Sequence, residues 1–215
     1  MAYGFLDIAA TPSVKAAQTA NGSREMFERF AADRSFDRFT ARETEFIASR
    51  DSFYMATVSE TGWPYVQHRG GPPGFLQVLD DRTLAFADFR GNRQYISLGN
   101  IGANDRVALI MVDYPRRARL KIYARVEAKD LAAEPELASR LALPGYRARP
   151  ERAIVLHLEA FDWNCPQHIT PRFTEAEIDS ALQPVRERIA VLETENRRLR
   201  EQLAHPATAA VAPLA

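Results

Sequence analysis

The sequence is short of cysteine, of net charge and of long apolar runs, and each shortage excludes something. Cys165 is the single cysteine among 215 residues. No disulfide can therefore close within the chain, which fits a reducing cytoplasm, and a cytoplasmic location is expected. Lys+Arg and Asp+Glu each number 28, so the formal net charge is zero. No sequence-wide field favours nucleic acid or an anionic membrane surface, and neither is expected as a partner. No run of about 18 apolar residues occurs, so no membrane-spanning helix is expected. The opening MAYGFLDIAATPSVK has neither a charged leader nor a long apolar stretch, so no signal peptide is expected. Neither G-x-G-x-x-G nor a phosphate loop ending in Gly-Lys-Ser/Thr is present. What is there is a chain with 46% hydrophobic residues, too apolar to be wholly disordered. It is long enough for one domain of roughly 100–200 residues with appendages.

Residues 1–50 carry helical signals. Ser13 to Ala20 is a short helical stretch ended by Asn21-Gly22, and Ser23 caps REMFERFAADR. Thr40-Ala-Arg-Glu43 is a capping-box pattern ahead of Phe46 and Ile47. From residue 51 the period drops to two. Strands are predicted at Phe53–Val58, Pro64–His68, Phe75–Leu79, Thr83–Ala87, Val107–Val112, Arg119–Ala128 and Ala153–Ala160. Glu60-Thr61-Gly62 and Asp80-Asp81 are turns, and Arg69 to Gly74 is predicted to be irregular. Short helices are predicted at Asn92–Asn100, with Asn92 as N-cap, and at Pro135–Leu141. Closely spaced short strands with few long helices indicate a mainly β chain, an antiparallel barrel or sandwich over 51–173.

Residues 174–204 change character. Thr174-Glu-Ala-Glu177 is a second capping box. Ile178, Leu182, Val185, Ile189, Leu192, Asn196, Leu199 and Leu203 then alternate spacings of four and three, the seam of a coiled coil. Pro184 is expected to kink the helix or to open a second one. An amphipathic helix folded back on its own barrel is the other reading of the same pattern. Residues 205–215 are expected to form a disordered tail.

Four segments can carry chemistry. In Arg69-Gly70-Gly71-Pro72-Pro73-Gly74, glycines admit close backbone approach and an arginine can fork onto a phosphate; an ordinary Gly-Pro turn is the alternative. Asp88 to Gln94 leaves a strand and opens a helix, whose N-terminus with Arg93 can meet an anion; the alternative is a solvated turn. Arg116, Arg117, Arg119 and Lys121 form a basic cluster in which Arg119 and Lys121 share a strand face. Trp163 to Arg172 concentrates an aromatic, amides, His168 and a guanidinium. Cys165 and His168 lack a second metal-ligand pair nearby, so no metal site is expected, and no nucleophile–base pair stands out.

QHRGGPPGFLQVLD, TLAFADFRGNRQYISLGNI, RVALIMVDYPRRARLKIYARVE and WNCPQHITPRF, in this order, resemble the pyridoxamine 5′-phosphate oxidase-like family of FMN-binding split barrels, over about residues 40–173. The resemblance implies an antiparallel split β-barrel with peripheral helices, a homodimer, and FMN as cofactor. It implies that Arg69 meets the FMN phosphate or ribityl chain, with Gly70 and Gly71 under the ring. Phe86, Ala87 and Asp88 match the strand end beside the flavin. Asn92, Arg93 and Gln94 match a Ser-Arg-Lys phosphate trio, here with amides at its first and third positions. Arg119 matches a glutamine near the ring, with Lys121 two residues on. Trp163 and Arg172 match residues that reach the flavin from a partner subunit, with Gln167 and His168 between them. Pro72, Phe86 and Trp163 can supply an apolar slot for the ring.

The departures are equally specific. The family's vitamin oxidase has a lysine in the flavin loop and a Tyr/Arg/Ser set on a later helix. Here the loop runs GGPPGF, and Tyr146, Arg147 and Arg149 are at most surrogates. The expected function is therefore that of a divergent FMN-dependent oxidoreductase acting on a small molecule or a reduced nicotinamide. A non-catalytic flavin-binding sensor or carrier signalling through its C-terminal helix is the alternative, and F420 or haem in place of FMN stays open.

Overall fold

The computed structural model describes residues 4–30, 37–164 and 167–204. They fall into two compact units, one running to Thr170 and one starting at Pro171. The expected tail, Cys165 and the end of REMFERFAADR lie outside the described residues.

In the first unit, helices α1 (Phe5–Ala9), α2 (Pro12–Ala20), α3 (Arg24–Phe30) and α4 (Ala41–Ala48) precede the sheet. The sheet holds β1 (Ser52–Val58), β2 (Pro64–Gly70), β3 (Gln77–Asp80), β4 (Thr83–Phe89), β5 (Arg106–Asp113), β6 (Ala118–Lys129) and β7 (Pro150–Asn164). Helix α5 (Ile96–Ala103) joins β4 to β5, and α6 (Pro135–Arg140) joins β6 to β7. The strand order is β2-β1-β5-β6-β7-β4-β3, with antiparallel pairing throughout. Among the described residues the two end strands do not pair, so the sheet is an open, split barrel.

Its interior is built from alternate residues of the strands. Phe53, Met55, Phe86, Met111, Leu120, Ile122, Ile154 and Leu156 are all buried there. Phe53 stacks on Phe75 at 5.6 Å and meets Phe86 edge-on at 5.3 Å. On the other face of β4, Ala85 and Ala87 pack with Leu141, Ala153 and Val155 into a smaller cluster. That alternation is the period-two signal made physical.

Three expectations need correction. Arg69 and Gly70 are the last residues of β2, opposite Phe53 and Ser52, rather than irregular loop. The ladder to β1 continues for two residues because neither residue obstructs it. Helix α5 starts at Ile96, not Asn92, and its N-cap is Tyr95 in a left-handed conformation. The Asn92 side chain is used in a local turn, accepting from the Gln94 N–H at 3.2 Å, and such turns compete with helix initiation. In the second unit, α7 (Glu175–Ala204) continues through Pro184 as one helix of 30 residues, so of the two expectations for Pro184 the opening of a second helix is the one corrected. Its capping box is formed: the Thr174 N–H donates to Glu177 Oε2 at 2.8 Å and the Glu177 N–H to Thr174 Oγ1 at 3.2 Å. No helix among the described residues is long and apolar enough to cross a membrane.

The first capping box is also formed, and it does more than start a helix. Glu43, 4% exposed, accepts from the Thr40 N–H at 3.0 Å and the Thr40 hydroxyl. Its other oxygen accepts from Trp163 Nε1 at 2.6 Å. Burial alone would raise the Glu43 pKa, but the hydrogen bonds from Thr40 and Trp163 outweigh it and hold the carboxyl below its ordinary value. The carboxylate thus ties α4 to the end of β7.

A group with a depressed folded pKa contributes stability above its unfolded value, about 4.3, and loses it as pH falls through the folded value. Glu43→Gln should cost roughly 1.5–3 kcal/mol at pH 7, about 3–12 °C in Tm. Its gap to the parent should shrink below about pH 4. Thermal melts from pH 3 to 7 check this, and a gap independent of pH contradicts it.

Candidate functional site

The site forms where the margins of the split sheet meet. Asp88, near the end of β4, is 8% exposed and stands opposite Arg152 of β7 in the ladder. Its Oδ2 lies 2.6 Å from Arg152 Nη1. Its Oδ1 lies 2.6 Å from Arg69 Nη1, brought by the end of β2. β2 and β4 are far apart in strand order, so this carboxylate links the two sides of the opening. Arg152 also pairs with Glu151 at 3.2 Å and lies over the Tyr95 ring at 5.2 Å. Burial opposes the Arg152 charge, but the bond and charge of Asp88, with Glu151 and Tyr95, hold its pKa above the ordinary value. The Tyr95 hydroxyl donates to the Glu151 carboxylate at 3.1 Å.

Beside this cluster is a cavity of about 260 Å³ lined by Gln67, Arg69, Asp88, Asn92, Arg93, Tyr95 and Ser97, among others. The start of α5 forms one wall, and its first N–H groups have no partner within the helix. Ser97 Oγ donates to Gln67 Oε1 at 2.9 Å, fixing α5 to β2. Deeper, Asn100 Nδ2 donates to Thr57 Oγ1 at 2.9 Å. Arg93 and Tyr95 have φ of 64° and 53°, a conformation disfavoured for non-glycine residues that commonly marks sites with another use.

Arg69 decides what the cavity can hold. Asp88 engages its Nη1, while Nε is buried with no hydrogen-bond partner. A guanidinium edge of this kind matches the oxygens of a phosphate or carboxylate. Arg69 and Arg93 outweigh the single charge of Asp88 on the lining, so an anion is favoured. The volume lies below the roughly 300–1,000 Å³ of whole-ligand pockets, so the cavity suits the anionic end of a larger ligand.

Of the residues singled out from sequence, Arg69, Asp88, Asn92 and Arg93 come together here, and Gln94 is tied to Asn92 in the same turn. Gly70 ends β2, and Gly71 and Pro72 lead away from it. A Cβ on Gly71 would lie 2.7 Å from Phe75 Cγ, so glycine is required by close packing. Phe86 sits in the main core and Ala87 in the smaller cluster on the opposite face. Trp163 is engaged with α4: besides Glu43 it meets Phe46 edge-on at 4.8 Å and carries Arg42 at 4.4 Å. Arg119 stands opposite Val112 and Asn164, and Lys121 pairs with Asp162 at 3.0 Å. Gln167 and His168 are exposed, His168 with φ of 62°. Arg172 belongs to the second unit. Among the described residues no group of three or more His, Cys, Asp or Glu is placed to hold a metal ion.

Arg152, Gln67, Tyr95 and Ser97 are members that sequence reasoning missed. Running β2 to Gly70 would have put Gln67 on the face of Arg69 by simple alternation. Starting β7 three residues earlier would have placed Arg152 in a strand, although its pairing with Asp88 has no local signal.

Removing the negative charge leaves the half-buried Arg69 guanidinium without a counter-ion and Arg152 with Glu151 alone. Asp88→Asn should cost about 3–5 kcal/mol, roughly 6–20 °C in Tm. Differential scanning calorimetry of the two proteins checks it, and a loss under about 2 °C, the least that 1 kcal/mol gives in a chain of this size, would remove Asp88 from this role.

The family model of pyridoxamine 5'-phosphate oxidase matches residues 39–161, more than half of the chain. Solved structures with similarity include the HupZ protein of Group A Streptococcus, 17% identical over 63% of this chain and 100% of that one, with a TM-score of 0.44. A Clostridium acetobutylicum protein related to general stress protein 26 is 17% identical over 64% and 94%, with a TM-score of 0.43. An FMN-binding protein from Syntrophomonas wolfei is 14% identical over 68% and 97%, with a TM-score of 0.43. No curated protein matches. With the family model spanning β1 to β6 and most of β7, the chain belongs to the pyridoxamine 5'-phosphate oxidase family.

Proposed function

We propose that the chain binds FMN by its phosphate in the cavity around Arg69 and Arg93, and acts as an FMN-dependent oxidoreductase on a small molecule or a reduced nicotinamide. The observation that carries this reading is Arg69 Nε, buried beside an anion-sized cavity without a hydrogen-bond partner. Family membership supports it.

The residues present fit the phosphate end of that cofactor. Arg69 offers a pre-placed donor edge, because Asp88 holds the guanidinium by its other nitrogen. Arg93, exposed at the mouth, adds a full charge. The first turn of α5 adds backbone donors and a partial positive charge. Gln67 and Ser97, already paired, keep that wall at a fixed distance from β2. When bound, FMN supplies the electron-transfer chemistry, and the protein's part is binding, orientation and electrostatics. Lys121 and Arg119 on β6 are further cations of the barrel; the Lys121 charge is balanced in part by Asp162.

The purified protein should be yellow, or turn yellow on adding FMN, and reduced nicotinamide under anaerobic conditions should bleach it. A protein that binds FMN but is not bleached by NADH, NADPH or a small-molecule panel favours the sensor or carrier alternative. One that stays colourless and binds no FMN in titration overturns the proposal, and a haem or deazaflavin spectrum reassigns the cofactor.

Arg69→Ala and Arg93→Ala should each weaken FMN binding about 10–150-fold, the worth of a charge-assisted bond of roughly 1.5–3 kcal/mol. Arg93 is exposed, so its variant reads binding without disturbing the fold. Arg116→Ala is the control, since that side chain is exposed next to Asp113, outside the cavity. Fluorescence titration checks all three; equal affinities across the set would displace the phosphate from this cavity.

A further inference from the structure

Helix α7 carries an apolar stripe that stays half exposed along its whole length. It is 30 residues long, about 45 Å at 1.5 Å per residue, and none of its residues is buried. Leu182, Ile189, Leu192 and Leu199 are 43%, 49%, 45% and 46% exposed, whereas comparable side chains of the barrel core, such as Leu120 and Ile122, are at 0% and 1%. An amphipathic helix in a protein gains most of its stability by packing its apolar stripe. Arg186 bonds Asp179 at 2.9 Å, and Gln183 bonds Glu187 at 2.9 Å, so the polar side chains flanking the stripe are ordered along the helix rather than across it.

We propose that α7 is a self-association surface that pairs in parallel with α7 of a second copy of this chain, as a two-stranded coiled coil. With Leu182 at heptad position a, the a positions are Leu182, Ile189, Asn196 and Leu203, and the d positions are Ile178, Val185, Leu192 and Leu199. Asn196 selects the occupant and its direction. In a parallel pair it meets the same asparagine of the other copy and the two amides satisfy each other. In the fully overlapping antiparallel pair it would face Val185 and leave an amide buried without a partner. The flanking charges complement a second copy too. In the parallel pair Arg188 at g faces Glu193 at e, and Glu195 at g faces Arg200 at e, each pair occurring twice. This surface is independent of the flavin reading, and it can hold whether or not FMN binds.

Cross-linking in the full chain tests it. In a Cys165→Ser background, Asn196→Cys and Leu203→Cys place thiols at a positions, and Thr194→Cys places one at the outward f position. Mild oxidation should link most of the Asn196→Cys and Leu203→Cys protein into disulfide dimers, with Thr194→Cys at least tenfold lower. Leu203, 81% exposed near the helix end, gives a substitution that the fold tolerates. Charge reversal then reads the direction. In the Leu203→Cys protein, Arg188→Glu should lower the association constant about fivefold, and adding Glu193→Arg should restore it. In an antiparallel pair Glu193→Arg would instead set a positive charge against Arg186 and weaken association further. Absence of linkage at both a positions, with helical circular dichroism retained, overturns the proposal. So does equal linkage at all three sites, or failure of the double charge reversal to restore association.

Discussion

Asp88 is the constraint on which the site depends. One carboxylate accepts two guanidinium groups, from β2 on one margin of the open sheet and from β7 beside it. Desolvating three charges is costly, and the arrangement is tenable only because the geometry is short and every charge has a partner. In return, the Arg69 guanidinium is held in place through Nη1, while its Nε stays outside the ion pair. Holding a side chain in place reduces the entropy that binding would otherwise lose. The same carboxylate lowers the net charge of the cavity lining.

Glu43 applies the same logic at the other end of the barrel. It is a buried acid kept ionised by three donors, two from its own helix cap and one from Trp163 across the sheet. Trp163 therefore acts within its own chain as an anchor for α4, with Phe46 and Arg42 on its faces. A residue type that fits a cofactor slot serves here to fasten a helix, because indole offers both an apolar surface and one strong donor.

The two units divide the ways a chain can use apolar residues. In the first, alternate strand residues meet across the barrel and leave water altogether. In the second, a heptad stripe remains half exposed along one helix. Charged side chains flank that stripe, and a hydrophobic strip with patterned flanks pairs with fewer surfaces than a bare one.

Local rules were enough for much of this. Alternation in Arg119–Ala128 and Ala153–Ala160, a continuous apolar run in Val107–Val112 and turn signals such as Asp80-Asp81 located the seven strands, because strand faces and tight turns are set by neighbours a few residues apart. Thr40/Glu43 and Thr174/Glu177 were legible as helix starts, because a capping box closes within four residues. The motif order also disclosed the family, and it singled out Arg69, Asp88 and Arg93, which the fold brings to one cavity. What sequence alone missed were features decided at long range or by torsion. The left-handed Arg93 and Tyr95 delayed α5 by four residues, since no side-chain propensity announces a positive φ in a non-glycine residue. Pro184 lies inside α7 rather than opening a second helix there. The pairing of Asp88 with Arg152 spans 64 positions and depends on β4 and β7 being neighbours in a particular register. The sequence by itself therefore determined which residues form strands, caps and a charged loop, since those follow from neighbours a few residues apart. Only the tertiary structure decided which charges meet, because a one-residue slip of register would have turned Asp88 to the opposite face and left Arg69 without its counter-ion.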